Sequence, residues 1–260
     1  GDIVFGNLEA PITKGREVKV GEMSFRVNPG TEIALKDAGF TIVSLANNHS
    51  KNFGEKGLID TFSYLKNSGI AYVGAGHEKE AYAPVYLEKK GIRFAFLAYN
   101  DHDVVPSSYR ASGKRIGTAF MDVKRMVVGV QEAKKNADIV VVSMHSGTEY
   151  VVKPNKSQVS FARAAVDAGA DLVIGHHPHV VQSMEIYKGK YIFYSLGNFV
   201  FDQMWSQDTR EGLVVKFNFT KEGVHSFDLK PVLIHNFAQP EFILGKQAEK
   251  IIKRLDTRVP

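Results

Sequence analysis

The chain has 260 residues, of which 44% are hydrophobic and 23% are charged, and 33 Lys+Arg against 28 Asp+Glu give a formal net charge of +5. These values exclude a disordered or collagen-like chain and suit a globular protein. Cysteine is absent, which excludes disulfides, thiolate metal sites and cysteine nucleophiles. We recognise neither a signal peptide nor an apolar run of about 18 residues that could span a membrane. The basic residues are scattered, so we expect no nucleic-acid partner.

Strand and helix patterns alternate over the first two thirds of the chain. Short apolar runs indicate strands, and apolar residues at helical spacing followed by glycine indicate helices. The predicted elements are, in chain order, a strand at 2–5, a helix at 29–39, a strand at 41–45, a helix at 54–68, hairpin strands at 85–88 and 92–99, a helix at 121–136, a strand at 138–144, a helix at 155–168 and a strand at 171–174.

The last third changes to a pattern of strands joined by glycine turns, which is typical of an antiparallel sheet. The predicted strands are 180–187, 191–195, 212–219 and 224–233, and a helix at 246–255 follows them. We expect the segment from Tyr187 to Leu233 to form a second sheet that supports the functional cleft. The chain contains no repeat or linker that would divide it, so we expect a single α/β domain over residues 1–260.

Polar side chains that can bind metals follow four of the predicted strands. In open α/β sheets, ligands bind beyond the carboxyl ends of the strands, so these clusters can converge on one cleft. We expect Glu9, Asn48, His145, His177 and His179 to surround that cleft. The four clusters are Asn7-Leu-Glu9, Ala46-Asn-Asn-His49, His145-Ser-Gly-Thr-Glu149 and Gly175-His-His-Pro-His179.

Imidazole, carboxylate and amide groups suit divalent ions such as Mn, Zn or Fe. Two such ions about 3.5–4 Å apart can hold a phosphoryl group and activate water. Each cluster also has a structural interpretation, because a single Asn or His at a strand end is commonly a cap and Glu9 alone is commonly a surface charge. The run from His176 to His179 is different, since three histidines in four positions after a buried strand are hard to explain by packing.

Several other polar residues are candidates for contacts to a substrate or to the ligands. Asn198 ends another strand at a glycine turn and is either a turn residue or such a contact. Arg26 either forms a salt bridge or clamps an anion. The remaining candidates for orienting the ligands or contacting the substrate are Asn7, Asn47, Glu149 and Asp202.

Six stretches taken together resemble the bacterial capsule-synthesis CapA family, which takes part in poly-γ-glutamate production. They are Asn7-Leu-Glu-Ala-Pro11, Phe25-Arg-Val-Asn-Pro29, Ala46-Asn-Asn-His49, His145-Ser-Gly-Thr-Glu-Tyr150, Gly175-His-His-Pro-His-Val180 and Ser195-Leu-Gly-Asn-Phe199. The family is similar to the calcineurin-like metallophosphoesterases. The resemblance implies two mixed β-sheets packed as a sandwich with flanking helices, a four-layer α/β/β/α fold.

The resemblance also implies roles for individual side chains. Glu9 corresponds to a bridging acidic ligand, Asn48 and His145 to further metal ligands, and His49 to the catalytic imidazole that protonates or orients the leaving group. His177 and His179 correspond to a final pair of ligands, although the alternative register uses His176. The superfamily's opening strand ends in an aspartate ligand, and we expect that strand to be absent from this chain.

Three functions follow as hypotheses. The first is a poly-γ-glutamate capsule biosynthesis protein with a metal-binding cleft; the second is a working metal-dependent hydrolase of phosphoesters or of a γ-glutamyl polymer; the third is a non-catalytic binding module. The resemblance implies a dinuclear centre, an anionic polymer or phosphoester substrate, and other capsule-synthesis membrane proteins as partners. It also implies that the intact protein is anchored at the cell surface.

Overall fold

The computed structural model describes residues 1–19, 21–256 and 259, whose elements form four layers. The strands are β1 (Phe5–Asn7), β2 (Ile42–Ser44), β3 (Ala71–Val73), β4 (Ala75–Gly76), β5 (Val85–Lys89), β6 (Ile92–Asn100), β7 (Gly117–Thr118), β8 (Ile139–His145), β9 (Leu172–His176), β10 (Met184–Tyr187), β11 (Lys190–Phe193), β12 (Glu211–Thr220), β13 (Gly223–His235) and β14 (Gln239–Phe242). The helices are α1 (Thr31–Asp37), α2 (Gly54–Asn67), α3 (Glu78–Ala81), α4 (Val123–Asn136), α5 (Lys156–Ala168), α6 (Gln207–Arg210) and α7 (Gly245–Lys253).

A six-stranded mixed sheet forms the centre of the fold, in the order β10-β11-β9-β8-β6-β5. Its four inner strands run parallel, and the edge strands β5 and β10 pair antiparallel with their hairpin partners. All seven residues of β8 are buried, as expected for a parallel strand covered on both faces. The parallel arrangement brings the carboxyl ends of β6, β8 and β9 to one edge of the sheet.

Helices α4 and α5 cover one face of this sheet. Val130 of α4 and Phe161 of α5 pack with Leu97, Val142 and other buried residues in one hydrophobic cluster. Both helices begin with side-chain caps that satisfy free backbone N–H groups, Asp122 for α4 and Asn155 for α5. The alternation of residues along each strand leaves the other face free to pack on the second β layer.

The second β layer consists of two separate three-stranded sheets. The sheet β1-β2-β3 is parallel and the sheet β12-β13-β14 is antiparallel. Both pack on the central sheet, with Ile42, Phe96, Val141 and Leu213 in one cluster. Leu58 and Leu65 of α2 cover the outer face of the parallel sheet, which completes the predicted α/β/β/α order. The fold class expected from the sequence is therefore confirmed.

The expectation that Tyr187 to Leu233 forms a second sheet is wrong in one respect. Strands β10 and β11 belong to the central sheet, because β11 pairs in parallel with β9 through Tyr191↔Leu172. Only β12 and β13 leave that sheet, and they are strands as expected. The local pattern of a strand does not specify which neighbour the strand pairs with, so the sequence does not distinguish the two layers for this hairpin.

The remaining expected elements are present, with ends that shift by up to four residues. The predicted strand at 2–5 lies at Phe5–Asn7, and the predicted strand at 180–187 begins only at Met184. The sequence patterns missed the short elements β3, β4, β7, β14, α3 and α6. Across the residues that the structure describes, every helix is too short or too polar to cross a membrane.

Candidate metal centre

Four strand ends bring five of the predicted side chains together. Glu9 follows β1, Asn48 follows β2, His145 ends β8, and His177 and His179 follow β9. His145 Nε2 lies 2.9 Å from Asn48 Oδ1 and 3.7 Å from Glu9 Oε1, and His179 Nε2 lies 3.8 Å from the same carboxylate oxygen. Residues separated by more than 130 positions in the chain therefore share one cluster.

Three of these side chains form a group that could hold a metal ion. Ligand atoms of Glu9, His177 and His179 all lie within 4.8 Å of one another. Glu9 Oε1 and His177 Nδ1 are buried without a hydrogen-bond partner. Leaving such an atom unpaired costs about 1–3 kcal/mol, and a cation held by Glu9 Oε1 would remove that cost for the carboxylate. Carboxylate and imidazole donors are a set that divalent transition ions accept, and the residues present fit such an ion.

The protonation of the cluster also suits a cation. Burial lowers the pKa of His177 to about 4, and burial together with the neighbouring histidines lowers the pKa of His145 well below its usual value. These imidazoles are neutral at pH 7, and a neutral ring nitrogen has a lone pair to donate. Burial, reinforced by the charge of Glu149, raises the pKa of Glu9 to about 8 despite a hydrogen bond from Asn7. A bound cation would offset the cost of ionising Glu9 in this site.

The backbone that presents the histidine pair adopts an uncommon conformation. His177 has φ +101° and His179 has φ +58°, a region that side-chain-bearing residues rarely occupy. Such backbone costs of order 1–3 kcal/mol and persists where the surrounding structure imposes it, commonly at functional sites. Both rings lie beside Glu9, with ligand atoms of all three side chains within 4.8 Å of one another.

Asparagine side chains hold the ligands in position. Asn7 Nδ2 donates to Glu9 Oε2 at 2.9 Å, and Asn47 Nδ2 donates to Asn7 Oδ1 at 3.1 Å. His179 Nδ1 lies 2.9 Å from Asn198 Oδ1; because an amide oxygen only accepts, Nδ1 carries the proton and Nε2 faces Glu9. Partners of this kind fix the tautomer and orientation of metal-ligating histidines.

His49 lies at the side of the cluster with one nitrogen already engaged. Its Nδ1 donates to Asn52 Oδ1 over 2.7 Å, and its ring centroid is 4.0 Å from that of Phe25. Burial lowers the pKa of His49, and the hydrogen bond to Asn52 opposes this effect. The imidazole is therefore held neutral with Nε2 free to take a proton.

The comparison with known proteins establishes the family. Residues 1–203 match the family model described as "Bacterial capsule synthesis protein PGA_cap". This chain belongs to that capsule-synthesis family. It is 39% identical over 238 residues to the "PGA biosynthesis protein CapA" of Bacillus subtilis (strain 168), covering 90% of this chain and 62% of that protein. It is also 39% identical over 242 residues to the "Capsule biosynthesis protein CapA" of Bacillus anthracis, covering 90% of this chain and 58% of that protein.

Among solved structures, the fold is similar to the calcineurin-like phosphoesterase YfkN from Bacillus subtilis. The TM-score is 0.53 at 13% identity, and the match covers 86% of this chain and 72% of that chain. This likeness shows a shared fold, in agreement with the metallophosphoesterase architecture expected from the sequence. The chain spans about three fifths of the length of the CapA relatives it matches.

Some predicted residues of this family member lie apart from the group of three. The ring centroid of His176 is 6.1 Å from that of Phe5, and His176 is not part of the Glu9, His177 and His179 group. The geometry therefore favours the His177–His179 register. The Arg26 guanidinium is engaged by residues outside the group of three, since its Nη1 donates to Asn28 Oδ1 at 2.5 Å and its Nε donates to the carbonyl oxygen of Arg16 at 3.0 Å. Asp202 is exposed to solvent.

Asp2 also lies outside the cluster. It precedes β1 and forms an ion pair with Lys90, with Lys90 Nζ 2.9 Å from Asp2 Oδ2. Lys90 lies in the turn between β5 and β6, at the opposite end of β6 from its carboxyl end. Asp2 therefore does not supply the cluster with a carboxylate, and Glu9 does.

Sequence reasoning missed Asp101, which follows β6 at the same edge of the sheet. Asp101 is buried and accepts hydrogen bonds from Ser146 Oγ at 2.6 Å and Ser157 Oγ at 3.0 Å. Its charge acts on His177, opposing the fall in the pKa of that ring. The apolar run of β6 ends in Asn-Asp, so the rule that located the other clusters also applies here. The glycine turn before β6 predicts a hairpin strand, and that pattern does not show that β6 also pairs in parallel with β8.

Proposed function

We propose that this chain is a metal-dependent hydrolase domain, of phosphoesterase type, that serves poly-γ-glutamate capsule biosynthesis. The observation that carries the proposal is the group formed by half-buried Glu9 and buried His177 and His179, with ligand atoms within 4.8 Å of one another. Its unpaired Glu9 Oε1 and His177 Nδ1 support an ion at that position. The names of the CapA relatives, which refer to biosynthesis of PGA and of capsule, support the biological role.

The proposal includes Mn, Zn or Fe as the ion and a second ion beside the first. Mixed nitrogen and oxygen donors suit these metals. His145 and Asn48 adjoin the group of three, and their own contact of 2.9 Å provides an imidazole and an amide oxygen for a further ion. When bound, divalent ions of this kind polarise a phosphoryl or carbonyl oxygen and acidify water.

The protein's own residues orient the donors and move a proton. Asn7 and Asn198 fix Glu9 and His179, as their hydrogen bonds show. His49, whose Nδ1 proton is donated to Asn52, presents Nε2 as the atom that exchanges a proton with the reacting group. General acid–base catalysis of this kind contributes about 10²–10⁴ in rate.

The substrate and setting of the intact protein are part of the same proposal. An anionic polymer or a phosphoester fits a cationic centre, because the bound ion would attract the negative group. Membership of the capsule-synthesis family supports a cell-surface location, a membrane anchor and other capsule-synthesis membrane proteins as partners.

Metal analysis and a hydrolysis panel test the proposal. We expect the purified chain to retain Mn, Zn or Fe and to hydrolyse bis-p-nitrophenyl phosphate or poly-γ-glutamate. Glu9→Gln and His179→Ala should lose both metal and activity. His235 and Glu241, an exposed pair 3.4 Å apart, provide matched controls as His235→Ala and Glu241→Gln. A chain that binds no divalent ion would overturn the metal centre, and metal without hydrolysis would favour a binding role.

A further inference from the structure

Four aromatic side chains line one side of the metal centre. We define the aromatic rim as Phe25, Tyr150, Phe201 and Trp205. Phe201 and Tyr150 both lie against the ring of His179, at centroid distances of 5.0 and 6.1 Å. Phe25 meets Phe201 edge-on at 5.7 Å, and Trp205 meets Tyr150 edge-on at 5.9 Å. The rim is thus continuous from the loop before α1 to the loop that precedes α6.

The outer half of the rim is exposed, which distinguishes it from core packing. Trp205 is 65% exposed and Tyr150 is 43% exposed. Six of the 15 exposed large hydrophobic residues among the described positions fall in the two loops that carry them. They are Tyr150, Val151, Val152, Phe199, Val200 and Trp205. Single exposed apolar residues are common, but a group of them beside a cleft marks a binding surface.

Backbone strain and loop contacts hold Tyr150 over the histidine. Tyr150 has φ +64°, which is unfavourable for an aromatic residue. Gln203 Nε2 donates to the Tyr150 hydroxyl at 3.4 Å, which ties the two loops together. Covering His179 alone would require neither the strained backbone of Tyr150 nor an exposed tryptophan beside it.

The charges beside the rim restrict what it can accept. Glu149 precedes Tyr150 and Asp202 follows Phe201, and Asp202 is exposed. Arg26 follows Phe25 at the other end of the rim, so this restriction applies to the half formed by Tyr150, Phe201 and Trp205. A second anionic group there would meet the carboxylates and be repelled. A flat uncharged group would instead stack on the exposed rings, a contact worth about 5- to 150-fold in affinity per ring.

We infer that the aromatic rim is a subsite for a flat, uncharged ring attached to the anionic end of the substrate. The inference rests on the proposed function, since the anionic end would lie at the metal centre. Only the ring of His179 would separate that end from Tyr150. It adds a substrate class to that function, namely esters in which the phosphoryl group carries an aryl or heterocyclic ring.

Two phosphonates that differ only in the attached group test the subsite in the metal-loaded protein. Calorimetry should show phenylphosphonate binding about 10-fold more tightly than methylphosphonate. Trp205→Ala and Tyr150→Ala should each remove most of this difference, and Tyr150→Phe should keep it. Phe242→Ala is the matched control, because Phe242 is 61% exposed on β14. Equal affinities in the wild type, or an unchanged ratio in Trp205→Ala and Tyr150→Ala, would overturn the subsite.

A neutral probe separates failure of the subsite from failure of the metal centre. Benzamide carries a flat ring without an anionic group, so its contact can be measured by saturation-transfer NMR in protein treated with chelator. We expect a signal in the wild type and in Phe242→Ala that is lost in Trp205→Ala. Trp205 is the one tryptophan in the sequence, so its fluorescence reports the same contact directly. Absence of both signals would overturn the subsite even if metal binds, whereas their presence without phosphonate binding would count only against the metal centre.

Discussion

At the residue scale, the candidate ligands differ in how firmly their surroundings hold them. His179 has its Nδ1 proton bound by Asn198, and the amide of Asn198 is itself held by Gln203 Oε1 and the carbonyl oxygen of Thr209. His177, by contrast, has an unpartnered Nδ1. The orientation of His179 therefore depends on a series of buried amide contacts. These contacts form without a bound metal.

Asn198→Ala should weaken metal binding without removing a ligand. Loss of a partner that orients a metal-ligating histidine typically costs 10- to 100-fold in affinity. Calorimetric titration of the metal-free variant measures this effect. Asn218→Ala is the control, since Asn218 makes one exposed contact to Ser226 on the distant β12–β13 hairpin. An unchanged metal affinity in Asn198→Ala would show that packing alone orients His179.

His49→Ala should separate catalysis from metal binding. His49 is held by Asn52 and is not part of the Glu9, His177 and His179 group. We expect turnover to fall by about 10²–10⁴ while metal content stays near that of the wild type. His177→Ala should lose metal as well as turnover. Equal metal loss in both variants, measured by elemental analysis, would assign His49 as a ligand.

At the scale of the elements, the position of the centre depends on how closely β9 approaches β11. A Cβ added at Gly175 would lie 1.9 Å from the carbonyl oxygen of Tyr194. Gly175 also pairs with Met144 of β8, one residue before the His145↔His176 pair. The absence of a side chain at this position lets the strand that ends in the histidine run lie against its neighbour.

Gly175→Ala should destabilise the fold and displace the histidines together. Overpacking against backbone that cannot move costs about 3 kcal/mol, and denaturant unfolding measures it. Gly91→Ala is the control, because a Cβ there meets nothing within 4 Å in the β5–β6 turn. Its positive φ of +75° alone costs about 1–2 kcal/mol. If Gly175→Ala is no less stable than Gly91→Ala, the close approach of the two strands is not required.

At the scale of the whole molecule, four buried histidines and the half-buried His176 lie in neighbouring positions and are all neutral at pH 7. Burial is the first cause of the lowered pKa of His49, His145, His176, His177 and His179. In the unfolded chain these groups titrate near 6.5, so below that pH the unfolded state binds more protons and stability falls. Glu9, with a pKa raised to about 8, acts in the opposite direction, because its contribution is lost as the pH rises.

The metal-free protein should therefore be less stable at pH 5 than at pH 7. Five histidines outnumber one carboxyl group over this range, and the net loss is a few kcal/mol. Thermal unfolding in the presence of chelator should show Tm lower by roughly 5 °C or more at pH 5. His235→Ala is the control, because His235 is partly exposed and should leave this difference unchanged. Equal Tm values at the two pH values would show that the cluster is open to protons in the folded state.

Local patterns in the sequence determined the elements that depend on neighbours along the chain. The continuous apolar run of β8 predicted a strand buried on both faces, and all seven of its residues are buried. The glycine after α5 predicted the end of that helix, and Gly169 adopts φ +117° there. The polar residues after these strands predicted where a cleft forms, because parallel strands bring their carboxyl ends to one edge.

Only the tertiary structure decided which of these residues meet. The run from His176 to His179 allowed two registers, and the positive φ of His177 and His179, together with their position beside Glu9, favours one of them. Strand pairing likewise placed β10 and β11 in the central sheet, and the parallel direction of β6 brought Asp101 to the centre. No local sequence pattern predicts that the exposed ring of Trp205 lies beside Tyr150. The physical reason is the same throughout: periodicity records which face of an element is buried, whereas pairing partners and loop conformations depend on contacts between residues far apart in the chain.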